Sequence, residues 1–298
     1  SSARTLCETN RGKAGSILLV GGLDYNDASE SLQHTNPLPT RLGSQLLMNN
    51  TRKPTWHYLS NSQSEIDSVA KIVETNMPIM NKAKKNIGTE DFIKTNLPLA
   101  ESALISTHGY TFGSLDVKNE YSMADNITAD SSMSLCGIIL SGANIASEQN
   151  ASNITIEDGY LTALEISELD LSKLNFIILS ACQTGLGQVS MEGVAGIPRG
   201  LKKAGANAIL GTLWEVDDLA TNLLITAFFE GLNKGLSKHD ALLSAQQHLR
   251  NYNATAKRSV SVYSPSKMAN TTIEENVKID YLDEPYYWAS FILIDGIY

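Results

Sequence analysis

The sequence has 298 residues, 42% apolar and 18% charged, so the chain can bury a sizeable core as one large domain or two small ones. Its net charge of −9, without a Lys/Arg run interleaved with aromatics, argues against direct nucleic-acid binding. No apolar run approaches the roughly 18 residues of a membrane span, and no signal peptide opens the chain. Because the first residue is Ser1, we expect a fragment or a processed chain that lacks an upstream region.

Short apolar runs that end in small residues or glycine predict the strands. In chain order they occupy residues 16–20 (with a turn at Gly21-Gly22), 77–80, 103–107, 135–140, 176–181, 208–214 and 286–294. Helical spacing of apolar residues and capping residues such as Thr89, Asp217 and Ser237 predict the helices. The helices are expected at residues 63–75, 90–97, 161–169 (after a turn at Asp158-Gly159-Tyr160), 217–233 and 237–250, with another that follows Glu192-Gly193 and ends at Gly205.

Three further stretches, residues 26–61, 111–134 and 252–284, are polar and lack periodicity, which predicts long irregular segments. Elsewhere strands alternate with helices. This alternation predicts one α/β domain built on a mainly parallel sheet.

The three cysteines, Cys7, Cys136 and Cys182, include no C-x-x-C pair, which argues against the common zinc and thioredoxin-like sites. Such sparse use of cysteine is typical of a reducing compartment, so we expect a cytoplasmic protein. The histidines without a second ligand at metal spacing are expected at the surface, and they are His57, His239 and His248. We expect no metal and no cofactor.

Two of the predicted strands end in residues that can do chemistry. Residues 103–107 lead into His108-Gly109, and residues 176–181 lead into Cys182. Open α/β sheets place ligands and chemistry at the carboxyl ends of their strands. The pattern therefore favours a Cys/His pair of nucleophile and base that the fold assembles.

Two other enzyme or binding classes find less support in the sequence. The segment Gly12-Lys13-Ala14-Gly15-Ser16 is similar to a phosphate loop, but it precedes a strand, whereas a P-loop follows one. A serine hydrolase would carry a G-x-S-x-G elbow, and the sequence has none.

Five segments occur in the order in which they occur in one known family. They are Leu18-Leu19-Val20-Gly21, Ser106-Thr107-His108-Gly109, Leu179-Ser180-Ala181-Cys182-Gln183-Thr184-Gly185, Gly211-Thr212-Leu213-Trp214-Glu215-Val216-Asp217-Asp218 and Tyr286-Tyr287-Trp288-Ala289-Ser290-Phe291. Together they resemble the CHAT domain, the bacterial caspase-like peptidases that are often fused to tetratricopeptide repeats. The resemblance covers nearly the whole chain and implies one such domain over residues 1–298. It also implies a caspase-like three-layer sandwich, with a mainly parallel central sheet and helices on both faces.

The resemblance further implies a cysteine endopeptidase that acts on a protein substrate. By match, Cys182 is the nucleophile and His108 the base, and the backbone N–H groups of Gly109 and Cys182 form the oxyanion hole. A neighbouring imidazole makes the thiolate available at neutral pH and then protonates the leaving amine. The sequence departs from the usual family pattern at Pro198, which is expected to interrupt a helix, and in the insertions at residues 111–134 and 252–284.

Substrate preference is partly readable. In related caspase-like peptidases the residue two positions before the nucleophile often lines the pocket for the residue before the cut. Here it is Ser180, which predicts a neutral residue there. Glu215 or Asp217 would reverse this preference by reaching the pocket, although Asp217 is also a good helix cap. Trp214 either flanks the cleft or belongs to the core, and Glu192 either orders the loop after the nucleophile or is a solvated residue at a helix start.

Many caspases mature by cleavage of a linker between the cysteine segment and the next strand, and no spare linker is evident here. We therefore expect allosteric activation, by an N-terminal tetratricopeptide-repeat region or a bound partner, within a bacterial defence or cell-death pathway. CHAT proteases are associated with CRISPR effectors in some systems and with gasdermin-like pore formers in others, and the sequence does not choose between them. The alternative is a catalytically silent caspase-like interaction module, which would need neither His108 nor Cys182.

Overall fold

The computed structural model describes residues 15–27, 55–111, 133–148, 158–181, 188–190, 193–214, 217–252, 254–264, 269–279 and 281–295. In chain order the strands are β1 (Ile17–Leu23), β2 (Ile79–Lys85), β3 (Ser102–Ser106), β4 (Gly109–Thr111), β5 (Cys136–Ile139), β6 (Tyr160–Thr162), β7 (Phe176–Ser180), β8 (Gln188–Ser190), β9 (Gly193–Ala195), β10 (Ile209–Thr212), β11 (Ala254–Ser264), β12 (Ala269–Ile279) and β13 (Phe291–Ile294). The helices are α1 (Ser60–Val73), α2 (Glu90–Asn96), α3 (Ala143–Glu148), α4 (Ala163–Ile166), α5 (Ile197–Lys203), α6 (Asp218–Asn233), α7 (Lys238–Arg250) and α8 (Pro285–Trp288), with a 3-10 turn at Leu97–Leu99.

A six-stranded sheet organises the chain, in the order β13-β10-β7-β3-β1-β2. Its inner strands β1, β3, β7 and β10 are buried along their whole length, as expected of apolar runs covered on both faces. The edge strand β2 instead exposes alternate residues. Five of the six strands, β10, β7, β3, β1 and β2, pair in parallel, and only β13 runs antiparallel, beside β10. The prediction of a mainly parallel sheet is confirmed.

Helices cover both faces of this sheet. Because successive side chains of a strand point to opposite faces of the sheet, one strand contributes residues to two hydrophobic clusters. Leu18 and Val20 join a cluster that α2, α4 and α5 cover, whereas Ile17 and Leu19 join a cluster that α1, α6 and α7 cover. The fold is therefore the three-layer sandwich that the resemblance implied.

The predicted helix ends are confirmed at several points. Thr89, Asp217 and Ser237 each accept hydrogen bonds from backbone N–H groups in the first turn of α2, α6 and α7. After α5 and α6 the chain turns at Gly205 (φ 104°) and Gly235 (φ 84°), where glycine avoids the strain of the left-handed region.

A smaller antiparallel sheet, β4-β5-β6, follows the histidine. Its first strand begins at Gly109, directly after His108, and pairs with β5. Cys136 lies in β5, and burial raises the pKa of its thiol to about 12. Cys136 is therefore a buried small side chain, as expected of this apolar run.

The turn at residues 158–160 is confirmed, but it leads into β6 before α4, so the predicted helix over 161–169 is wrong at its start. Pairing with β5 outweighs local helical spacing over these three residues. The buried carboxylate of Glu90 in α2 accepts hydrogen bonds from the backbone N–H groups of Asp158 and Gly159, 2.8 and 2.9 Å away, and so holds the turn.

The segment after the cysteine also differs from expectation. Strands β8 and β9 pair as a short antiparallel hairpin, and α5 begins only at Ile197. Pro198 lies in the first turn of α5, where no N–H donor is needed and the fixed φ suits a helix. The prediction that Pro198 interrupts a helix is therefore wrong.

The segment 252–284 is not irregular. It contains the hairpin β11-β12, whose register runs from Ala254–Ile279 to Ser264–Ala269 without a break. Its polar residues alternate with residues that favour strands, such as Val260 and Val262, and this alternation was missed.

Three strand boundaries also change. Residues 286–294 begin as helix α8, which starts at Pro285, and only Phe291–Ile294 form a strand. Strand β2 begins at Ile79 and continues to Lys85, beyond the predicted 77–80. Strand β1 runs through Gly21 and Gly22 to Leu23, where a turn was predicted.

Most of the predicted loops at 26–61 and 111–134 lie outside the described residues, since 28–54 and 112–132 are not among them. Within the part of the chain that the structure describes, no helix combines the length and apolar composition needed to cross a bilayer.

Candidate active site

His108 stands at the carboxyl edge of the sheet, two residues after the end of β3. Its ring contacts the rings of Tyr25 and Trp56, and its centroid is 5.2 Å from the centroid of each. Its Nε2 is 2.8 Å from the backbone carbonyl oxygen of His57. A carbonyl oxygen only accepts, so Nε2 carries a proton and donates it, and in the neutral ring Nδ1 holds the lone pair. In the neutral ring, Nδ1 is therefore the basic nitrogen.

Thr107 fixes the backbone on which His108 stands. Its hydroxyl donates to the carbonyl oxygen of Ile139 in β5, so the Tyr25 hydroxyl, 3.0 Å away, donates to Thr107 Oγ1. Burial raises the pKa of Tyr25 to about 12, which keeps its hydroxyl a neutral donor. The Thr107 N–H also donates to the carbonyl oxygen of Ser180 at 3.1 Å. The histidine loop is therefore bonded directly to the end of the cysteine strand β7.

Cys182 lies outside the described residues, but the two residues before it are fixed. Ser180 and Ala181 are buried. The carbonyl oxygen of Ala181 accepts a hydrogen bond from Thr212 Oγ1 of β10 at 3.0 Å. The end of β7 is thus held by β3 on one side and by β10 on the other. Gly109 begins β4 beside this edge, and its assignment to an oxyanion hole stays a prediction.

Ser180 does not stand alone at this edge. Its hydroxyl donates to Glu65 Oε2 of helix α1 at 3.0 Å. Glu65 is only 3% exposed, and burial raises the pKa of its carboxyl group to about 8. Sequence reasoning missed Glu65. The available signal was a glutamate beside Ile66, on the stripe where α1 presents apolar residues to the core.

Of the remaining predicted substrate residues, two are described. Trp214 is half-buried, stacks on Tyr286 with centroids 6.4 Å apart, and donates its indole N–H to the Tyr286 carbonyl at 2.9 Å. Asp217 caps α6 through the backbone N–H groups of Leu219 and Ala220. Glu215 and Glu192 lie outside the described residues.

The remaining histidines in the described ranges, His57, His239 and His248, are exposed, as expected. Among the described residues there is no group of three His, Cys, Asp or Glu side chains that could hold a metal ion. His57 contributes to the site through its carbonyl oxygen, a role that its side chain gave no reason to expect.

Comparison with known proteins places this arrangement in a family. The family model of the CHAT domain matches residues 1–295. The chain belongs to the CHAT domain family. The CHAT domain is also similar to Tetratricopeptide repeat protein 28 of Mus musculus, 30% identical over 121 residues, and to the protein of the same name in Homo sapiens, 27% identical over 131 residues. Each match covers 40% of the chain and 5% of the relative, so the matched part is a small portion of these repeat proteins.

Family membership confirms the resemblance recognised in the sequence and the caspase-like fold that it implied. The CHAT family is related to caspase-like peptidases. The relatives are repeat proteins by name, which agrees with a tetratricopeptide-repeat region joined to or paired with the CHAT domain.

Proposed function

We propose that the CHAT domain, residues 1–298, is a cysteine endopeptidase with the dyad Cys182 and His108. The observation that carries the proposal is the orientation of His108. Its Nε2 donates to the His57 carbonyl, which leaves Nδ1 as the basic nitrogen, at the strand edge where β7 ends two residues before Cys182. This hydrogen bond fixes the tautomer that a base acting through Nδ1 requires.

The proposed reaction follows from these positions. His108 Nδ1 takes the thiol proton, and the Cys182 sulfur attacks the peptide carbonyl carbon to form a tetrahedral oxyanion. The N–H groups of Gly109 and Cys182 stabilise that oxyanion, a contribution of about 10²- to 10³-fold for one donor. His108 then gives its proton to the leaving amine. Water, activated by the same ring, hydrolyses the thioester and releases the acid product.

Substrate contacts are assigned to Ser180, Trp214, Glu215 and Asp217, with a neutral residue before the cut. Ser180 supports this preference because it is small and uncharged. Asp217 is engaged in two cap bonds, which favours its structural role over a pocket role. Trp214 is half-buried beside the exposed ring of Tyr286, which supports a position at the rim of the cleft.

Activation is proposed to be allosteric, in the cytoplasm, by a tetratricopeptide-repeat region or another partner in a bacterial defence or cell-death pathway. Two observations support this regulation. The relatives carry the repeat in their names. Most of the residues described between the cysteine and β10 belong to the β8-β9 hairpin and α5, and regular structure of this kind is a poor site for processing.

A silent interaction module is the second candidate, because the names of the relatives describe repeats and no activity. Labelling by a peptidyl electrophile separates the two, with and without lysate of the source cell as a supply of activator. Wild type should be labelled, Cys182→Ala should not, and His108→Ala should react more slowly. Cys136→Ala is the matched control and should label like wild type, since the Cys136 thiol is buried. A folded wild type that stays unlabelled under both conditions would favour the interaction module.

A further inference from the structure

Glu65 is a carboxyl group in the middle of a hydrophobic surface. It lies in the second turn of α1, on the same stripe as the buried Ile66 and Val69, which pack against the sheet. A carboxyl group at such a position loses its hydration, so it is stable there only if other groups compensate. Its partners therefore indicate what this position is for.

The partners of Glu65 come from the two strands that carry the proposed dyad. Ser180 donates to Oε2 at 3.0 Å, and the nearby Ser106 side chain also favours the ionised form of the carboxyl group. Ser106 and Ser180 are register partners and the last residues of β3 and β7. Each stands two positions before a proposed catalytic residue in the sequence. Glu65 thus lies under the edge where a substrate would be cut.

The second oxygen of Glu65 accepts no hydrogen bond from the described residues. Oε1 is buried and has no hydrogen-bond partner among the described residues. An unpartnered buried acceptor is unfavourable, a cost that a packed apolar residue would avoid. The charged group that acts on Glu65 from a neighbouring element is Asp218 of α6, which is itself bonded to Asn61 Nδ2 at 3.3 Å. Asp218 is acidic, so it does not supply the missing donor.

We propose that Glu65 selects the residue before the cut, with its Oε1 accepting a hydrogen bond from an N–H donor at the end of that substrate side chain. This inference rests on the proposed peptidase function and names its substrate class. An amide side chain, glutamine or asparagine, is the favoured donor, because it agrees with the neutral Ser180. A lysine or arginine side chain offers the same N–H chemistry with a positive charge.

The amide is favoured on electrostatic grounds as well. Burial and the nearby Asp218 hold the Glu65 carboxyl largely protonated at neutral pH, since they raise its pKa to about 8. A protonated carboxyl group is uncharged and still accepts through its carbonyl oxygen, which suits the neutral N–H donor of an amide. A basic side chain would instead bind best above pH 8, where Glu65 ionises.

The test compares peptides that differ only in the residue before the cut, namely Gln, Met and Lys. In wild type we expect kcat/KM for Gln to exceed that for Met, which has a similar shape, by about tenfold, the effect of one good hydrogen bond. Glu65→Met removes the acceptor while filling the space, and should bring this ratio close to one. Glu74→Met, at the exposed end of the same helix, is the control and should keep the wild-type ratio.

A ratio between two substrates is insensitive to a general loss of active enzyme, so partial unfolding of a variant does not mimic the result. An unchanged Gln-to-Met ratio in a Glu65→Met protein that still labels at Cys182 would overturn the proposal.

Should Glu65→Met fail to fold, Glu65→Gln takes its place. In wild type the ratio of kcat/KM for the Lys peptide to that for the Gln peptide should then rise from pH 6 to pH 9, whereas in Glu65→Gln this ratio should stay constant. A parallel rise in both proteins would also overturn the proposal. Absence of labelling in wild type is a different result, which rejects the peptidase function itself.

Discussion

His108 is oriented by three neighbours that are distant in the sequence, the rings of Tyr25 and Trp56 and the carbonyl oxygen of His57. The rings restrict its tilt, and the carbonyl selects which nitrogen is basic. A catalytic base works only when it is held in the geometry of the reaction, so these neighbours are part of the proposed machinery.

Trp56 can be tested separately from its hydrogen bond. Trp56→Ala removes the ring that packs on His108, and we expect Cys182 labelling to slow by about 10- to 100-fold because the imidazole is no longer held in place. Trp56→Phe keeps an aromatic ring and should stay within about threefold of wild type. Tyr160→Phe removes only the hydrogen bond from Trp56 Nε1 to Tyr160 and serves as the control. Equal rates in Trp56→Ala and wild type would show that the ring does not position the histidine.

Glu65 should also appear in the pH dependence of stability. Its pKa is raised in the folded protein from 4.5 to about 8, so the folded state binds a proton that the unfolded state has released between these values. Wild type should therefore lose stability as pH rises through this window, by up to about 1.4 kcal/mol per pH unit. Glu65→Gln lacks this titration, so its unfolding midpoint relative to wild type should increase from pH 5 to pH 8.5. A constant difference would show that Glu65 is not buried in its protonated form.

The sequence predicts some of these residues and not others, for a physical reason. His108 lies two residues after an apolar strand and Ser180 ends another, so a local pattern locates them. Trp56, His57 and Glu65 reach the site only because other segments fold beside it. The contact between His57 and His108 spans 51 residues, and no local pattern encodes it.

At the scale of elements, Thr107 joins the central sheet to the smaller one. It is bonded to β5 through Ile139, to the end of β1 through Tyr25, and to β7 through Ser180. Thr107 thus connects the two sheets from a position between β3 and β4, directly beside the proposed base. Movement between the sheets would displace His108.

Thr107→Val tests this connection. The change keeps the shape of the side chain but removes the donor to Ile139 and the acceptor of the Tyr25 hydroxyl, so we expect a loss of about 1–3 kcal/mol in the free energy of unfolding. Cys182 labelling should slow as well, because the loop of His108 loses its anchor. Thr107→Ser keeps the hydroxyl and should retain most of the stability. The free energies of unfolding of wild type and the two variants are measured in denaturant. Equal losses of stability in Thr107→Val and Thr107→Ser would assign the effect to packing.

The sequence predicts an element correctly where burial requires that its residues be apolar. Strands β1, β3, β7 and β10 are buried on both faces, so each must be an apolar run that is visible in the sequence. Strand β6 and the β11-β12 hairpin are different, because pairing with a neighbouring strand defines them and their residues are mixed. Pairing partners are not visible to a local pattern, and both elements were missed.

At the scale of the whole molecule, the alternation of strands and helices predicts the α/β class. It does not predict the order of the strands in the sheet. The central sheet connects both hydrophobic clusters, because its strands supply residues to each. We therefore regard the sandwich as one cooperative unit. The β11-β12 hairpin forms a separate two-stranded sheet.

The hairpin offers a test of that division. Ala254 and Ile279 are paired at its base, so their Cα atoms are only about 5 Å apart and a short linker can join the flanking residues. Replacing residues 253–280 by a Gly-Ser linker should leave one cooperative unfolding transition, with a midpoint within about 4 °C of wild type, because a change of about 1 kcal/mol shifts a domain of this size by a few degrees. Removal of residues 291–295 is the contrasting deletion. It takes away β13, its ladder with β10 and the buried Phe291, and should abolish or strongly lower the transition. If the hairpin deletion is as damaging as the loss of β13, the hairpin belongs to the cooperative unit; if it is not, the hairpin is an appendage that the sandwich carries without depending on it.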